Sequence, residues 1–259
     1  MPAREGGLVR YRARVEYDGT DFAGFQVQPG RRTVQGELEA ALARIAGGGR
    51  VRVVAAGRTD AGVHASGQVI AFTWPTDLPA ARLARALDAL LPADVAVRGL
   101  RWVGAAWQPR YAARYREYRY TVWNGPRSPL RERTALGVRV PLDVSAMAEA
   151  AQVLVGRHDF SAFGAAHRQP IRTVEAIRIR RQGRTITIDV RGQAFLRQMV
   201  RSLVAALLRV GRGEATAADL SAALAARERA FSGAVAPAHG LCLRRVALGR
   251  PVRTRNGAC

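Results

Sequence analysis

Residues 9–17 read VRYRARVEY. On an extended chain Val9, Tyr11, Ala13, Val15 and Tyr17 face one way, and Arg10, Arg12, Arg14 and Glu16 face the other. Alternation of this kind predicts a strand with one buried face. Downstream, Thr33 is placed to cap a helix whose apolar stripe is Val34, Leu38, Ala41, Leu42 and Ile45. A strand is expected at about 51–56, a glycine-flanked loop next, and a strand at about 68–74. Leu83, Leu87, Leu90 and Leu91 then mark a second helix, and a strand at about 95–102 completes the order β-α-β-β-α-β.

The rest of the chain repeats that order. A strand at about 115–122 carries Tyr118, Tyr120 and Val122 on one face. Asp143 is placed to cap a helix with Val144, Met147, Ala151, Leu154 and Val155. Strands at about 171–181 and 184–191 are expected to join through Gln182-Gly183 as a tight hairpin. A long helix at about 196–210, an inserted short helix near 217–226 and a last strand at about 241–248 follow. The expected fold is α+β: two tandem ferredoxin-like units with mainly antiparallel sheets and a central cleft. The expected units are 8–106 and 107–248, with a basic, flexible tail at 249–259.

The charge narrows the class of partner. The formal net charge is +21, and all 41 basic residues are arginine. A surplus of this size favours a polyanionic partner. The lack of lysine removes the Walker A and Schiff-base chemistries that need one. His64, His158, His167 and His239 are not spaced as a metal-binding pair, so no metal is expected. Two cysteines, Cys242 and Cys259, argue against a disulfide framework and fit a reducing cytoplasm. No apolar run is long enough for a membrane span, and the first residues lack the apolar middle of a secretory signal.

Four clusters could carry chemistry. AAGRTDAGVHASGQ, residues 55–68, lies between two expected strands. Arg58 and Asp60 point the same way on extended backbone, and His64 follows. The same residues also read as an Arg-Asp pair bracing a surface turn. ARYREYRYTVW, residues 113–123, interleaves arginine with tyrosine. That pattern suits base stacking and phosphate contact, or a strand with tyrosines inward and arginines outward. QAFLRQMVRSLV, residues 193–204, places Arg197 and Arg201 four apart on one helical face, to hold a carboxylate ionised or to face solvent. FAGFQVQPGRRTVQGELEAAL, residues 22–42, offers Gln26, Gln28, Arg31 and Arg32 for phosphate contact or simply as a lead-in to the helix.

Taken together, these segments resemble the tRNA pseudouridine synthase A family over nearly the whole chain. YDGTDFAGFQVQ and TVQGELEAAL are followed in the family's order by AGRTDAGVHA, YREYRYTV, GRHDFSAF, FLRQMVR and APAHGLCL. The resemblance implies that Asp60 is the catalytic aspartate and that Tyr118 stacks on the target base. It implies that Arg58 helps displace the flipped nucleotide. Arg201 matches the basic partner of Asp60, with Arg197 close enough to leave the pairing open. It further implies a homodimer in which tRNA touches both subunits, and modification of uridines on the 3′ side of the anticodon stem-loop. Departures are small: Phe25 stands where the family usually has tryptophan, and Ser202 where asparagine is common.

The implied reaction breaks N1–C1′, rotates the base and rejoins it through C5. It needs no redox change, hydrolysis, cofactor or metal. One carboxylate must reach the sugar, either to attack C1′ or to remove the C2′ proton. The base must leave its stack, and an aromatic ring returns about 1–3 kcal/mol of that cost. A non-catalytic RNA-binding protein would share the stacking and the arginines, but a carboxylate beside RNA phosphates would repel. A metal-dependent nuclease would need a carboxylate cluster, whereas Asp60 stands alone in its loop.

Overall fold

The computed structural model describes residues 8–75, 78–227 and 235–249; the expected tail beyond Gly249 lies outside them. The first half comprises β1 (Val9–Tyr17), α1 (Val34–Ile45), β2 (Val53–Ala55), β3 (His64–Trp74), α2 (Ala80–Leu90) and β4 (Val95–Val103). A short helix, α3 (Pro109–Ala112), leads to β5 (Ala113–Asn124), β6 (Leu136–Val138), α4 (Val144–Gln152) and β7 (Gly156–Asp159). The chain continues as β8 (Ile171–Gln182), β9 (Thr185–Gly192), α5 (Met199–Gly211), α6 (Ala217–Ala226) and β10 (Leu241–Leu248).

The helices start where their caps dictate. Thr33 Oγ1 accepts the Gly36 N–H at 3.2 Å, and Asp143 Oδ1 accepts the Ala146 N–H at 2.9 Å. α1 buries Val34, Leu38, Ala41 and Leu42 against the sheet. Each such large apolar side chain contributes about 1.5–3 kcal/mol on leaving water.

One path runs through all the main strands, in the order β4-β1-β3-β10-β5-β9-β8-β7, with β2 on β3 and β6 on β5. Within each half the strands lie fourth, first, third, second: β4-β1-β3-β2 and β10-β5-β9-β8. That is the split βαβ order of two ferredoxin-like units. The units are fused rather than merely adjacent. β10 runs parallel to β3, pairing Cys242 with His64 and Leu243 with Ala65, so the sheet is continuous. Core membership crosses the expected boundary at 106/107: Leu243 and Val246 of β10 pack in the first core, and Val63 packs in the second.

Local boundaries shift for physical reasons. β3 begins at His64, not 68, because the join to β10 supplies partners for its first residues. Gln182 pairs with Thr185, so the hairpin loop is Gly183-Arg184, one residue later than expected. α5 begins at Met199, because Gln198 takes a left-handed φ of 63° and interrupts the expected helix. β6 and β7 are too short to announce themselves by alternation and are set by pairing with β5 and β8.

Candidate active site

The loop between β2 and β3 carries Asp60 where the two halves meet. It rests on the β1–α1 loop, which approaches closely. A Cβ on Gly19 would lie 2.1 Å from Val63 O, and one on Gly24 (φ +104°) 2.9 Å from Thr59 O. Only glycine allows those approaches. Main-chain bonds from Phe25 N–H to Thr59 O (3.1 Å) and Gly62 N–H to Phe22 O (3.2 Å) stitch the loops together. Beneath them runs a buried polar chain. Tyr17 Oη lies 2.7 Å from Thr59 Oγ1, and the Gln68 side-chain amide donates to Gly57 O at 3.0 Å. Burial pushes the Tyr17 phenol well above its ordinary value, so it stays a neutral hydrogen-bonding group. Thr59 is buried between exposed Arg58 and half-buried Asp60, so those two flank the inward residue as the spacing predicts.

The second half supplies the other wall. Arg201 on α5 brings Nη1 to 3.7 Å from Asp60 Oδ2. Its own Nε donates to Ala236 O at 2.6 Å, which fixes the guanidinium. Arg197 does not share this face. It lies before the first turn of α5 and is exposed, so the expected i, i+4 relation with Arg201 fails. Tyr118 packs edge-on against Phe195, with ring centroids 5.4 Å apart and planes at 86°. Burial pushes its phenol up to about 12; Arg116 opposes that shift and the Asp60 charge adds to it.

Arg116 was hidden by the reading of arginines as outward. It shares the face of Tyr118 and Tyr120, whereas Arg119 faces away and pairs with Asp189 at 2.7 Å. Arg116 Nη2 donates to Ala56 O at 2.7 Å and more weakly to Arg110 O at 3.4 Å; Nη1 donates to Gln193 O. One guanidinium thus ties the start of the Asp60 loop to the segment leading into α5. Burial lowers its pKa. Strand parity was the available signal: 116, 118, 120 and 122 lie on one side of β5.

The remaining expected site residues divide into two groups. Gln28 and Arg31 are exposed, and Gln28 Nε2 donates to Ala23 O at 2.7 Å. Arg32 is engaged within the chain. It meets Asp94 through two bonds of 2.7 and 3.0 Å and Glu37 at 2.9 Å, and its guanidinium lies over the Phe22 ring at 4.1 Å. His64 is buried. Its Nδ1 accepts the Gly19 N–H at 3.0 Å, and Nε2 lies 2.8 Å from Arg133 O and 3.0 Å from His239 O. Beside it, Asp18 receives Arg133 from the second half at 3.1 Å. His64 and Asp18 therefore join the halves behind the loop.

Known proteins resemble this chain over most of its length. The family model described as tRNA pseudouridine synthase covers residues 13–112 and 150–247. The tRNA pseudouridine synthase A of Shouchella clausii is 44% identical over 249 residues, covering 95% of each chain. That of Myxococcus xanthus is 45% identical over 257 residues, covering 96% of this chain and 97% of its own. That of Halalkalibacterium halodurans is 45% identical over 238 residues, 90% of each. With most of its length matched by the family model and by full-length relatives, the chain belongs to the tRNA pseudouridine synthase family.

Proposed function

We propose that Asp60 is the carboxylate through which this enzyme, an isomerase, converts uridine to pseudouridine in tRNA. The observation that carries the reading is the Asp60–Arg201 pair, which sets one carboxylate against a fixed cation at the junction of the halves. In this reading the target uracil leaves its stack and rests on Tyr118, whose ring is held by Phe195. Arg58, exposed on the same loop, fills the space the nucleotide vacates. Asp60 then acts at the sugar. N1–C1′ breaks, the base turns, C5–C1′ forms, and the hydrogen at C5 leaves as a proton while N1 regains one. The bookkeeping balances without redox change or hydrolysis, so no cofactor or metal is required.

The neutral phenol of Tyr118 suits a stacking surface, because a phenolate would repel both Asp60 and RNA phosphates. Gln28, Arg31 and Arg197 are exposed and take backbone contacts; Arg32 and His64 act by holding the loops that present Asp60. The substrate is the 3′ side of the anticodon stem-loop, bound by a cytoplasmic homodimer. Among the described residues no helix is long and apolar enough to cross a membrane.

The test is release of tritium from tRNA labelled at uridine C5, comparing the native chain with Asp60→Ala. Release by the native chain alone is expected, with tRNA affinity little changed in the variant. Turnover by Asp60→Ala at the native rate would refute the assignment.

A further inference from the structure

β4 forms one outer edge of the sheet, and its pairing with β1 slips midway. Arg12 lies opposite Arg101 and Arg14 opposite Arg98, so Gly99 and Leu100 together face Ala13. Gly99 has a φ of 58°, the left-handed conformation a bulge of this type takes at its first residue. In a regular strand, residues 98 and 101 are an odd number apart and point to opposite faces. The bulge cancels that parity. It turns both arginines to the side of Arg12 and Arg14, away from the face where Tyr11, Ala13 and Val15 are buried.

Like charges set directly opposite each other across a ladder destabilise a sheet. Here two such pairs stand side by side around a cavity of about 410 Å³, with Val69 and the backbone of Gly99 also lining it. Elsewhere Arg32, Arg119, Arg191 and Arg209 each meet a carboxylate. Among the described residues none of the four arginines at the cavity does so. Arg12 lies 5.6 Å over the Trp107 ring, a cation–π contact rather than an ion pair. Glu16 lies on the same side of β1, two residues beyond Arg14 and opposite Ala96, and makes no ion pair with the four arginines among the described residues.

We infer that this cavity is a second anion site, separate from the junction that holds Asp60, and that it binds a phosphate group. Guanidinium forks match phosphate oxygens bidentately, and several around one hole repay the mutual repulsion that the bulge imposes. The phosphate belongs either to an RNA backbone or to a small free phosphate, which present the same oxygens.

The test is calorimetric titration of the full chain with inorganic pyrophosphate at low salt. It compares the native protein with R14Q/R98Q and R14K/R98K, each checked for folding by thermal melting. Native binding is expected, weakened about tenfold or more in R14Q/R98Q and less in R14K/R98K, which keeps the charges but loses the forks. Measurements with full-length tRNA separate the sources. An RNA phosphate predicts that R14Q/R98Q weakens tRNA binding and lowers the slope of log K against log salt by about one. A free phosphate predicts unchanged tRNA binding with pyrophosphate binding still lost. Absence of native pyrophosphate binding, or equal binding by R14Q/R98Q, would overturn the site. A variant that aggregates while binding pyrophosphate normally would assign the arginines to protecting the sheet edge instead. The pyrophosphate measurement requires no turnover, so its outcome is independent of the role proposed for Asp60.

Discussion

Replacing Arg116 by methionine should separate the two walls of the candidate active site without disturbing either wall's own core. Methionine keeps the length and apolar stem of the side chain but removes the guanidinium. The loss falls on the short bond to Ala56 O (2.7 Å) and the bond to Gln193 O, while the 3.4 Å approach to Arg110 O is too long to matter. Hydrogen bonds to a charged group contribute about 1.5–3 kcal/mol each. Arg116 is only half-buried, so water can reach part of the vacated site, and the expected net loss is about 2–4 kcal/mol. For a chain of this size that lowers Tm by roughly 5–15 °C. Because Ala56 leads into the Asp60 loop and Gln193 leads into α5, kcat should fall more than KM rises. Arg116→Lys should recover part of both losses, since one ammonium can satisfy one carbonyl but lacks the fork. Urea melts with single-turnover tritium release measure both quantities. A stability loss under ~0.5 kcal/mol with unchanged kcat would refute the idea that Arg116 ties the walls together.

Three further outcomes follow from the same geometry. Tyr118 should ionise late, near 12, in an ultraviolet titration, and Asp60→Asn should lower that value by removing a charge that disfavours phenolate. Since its native value lies above that of the unfolded chain, Tyr118's contribution to stability is complete below the unfolded value near 10 and is lost as pH rises through 12; an unchanged value in Asp60→Asn would sever the two groups. Tyr17→Phe keeps the ring against Phe25 but leaves buried Thr59 without its partner, so stability should drop by about 1–2 kcal/mol and kcat should fall with it. A drop in stability with kcat intact would show that the hydroxyl serves the fold and not the loop. For Asp18, burial raises the carboxyl's pKa, but two bonds from Thr20 and the nearby His64 and Arg133 outweigh it and leave a net depression. Its stabilising effect is therefore present above the unfolded carboxylate value and lost as pH falls through the native one, and Asp18→Asn should flatten the acid limb of a stability–pH curve.

The element order was legible because periodicity and caps are local. Alternation from Val9 to Tyr17 and the caps Thr33 and Asp143 gave strands and helices near their observed places. Asp60, Arg58 and Tyr118 were singled out by family resemblance, since spacing alone also fitted a braced turn and an inward tyrosine; Thr59 is buried between Arg58 and Asp60. Long-range geometry was not legible. The parallel join of β3 to β10 rests on two short segments with no distinctive pattern, and it moved the start of β3 to His64. The interruption before α5 depends on Gln198 adopting a left-handed backbone, which composition does not announce, and so Arg197 and Arg201 were placed on one face. His64 and Arg32 advertise polarity in the sequence, but polarity does not say whether a side chain meets RNA or its own backbone. Their partners, Gly19 and Asp94, lie 45 and 62 residues away.

β10, the last strand among the described residues, fastens the two halves and is synthesised after the strands it joins. While β10 is unsynthesised, the first half can fold around its own helices, but β3 keeps an unsatisfied edge and Leu243 and Val246 are missing from its core. The backbone of β5 likewise lacks the neighbour that later carries Leu241–Leu248. Asp60 therefore exists for most of translation without the completed sheet that sets its distance from Arg201. The pairing of β10 with β3, rather than any contact within the first half, is what brings the Asp60 loop and α5 into one continuous framework.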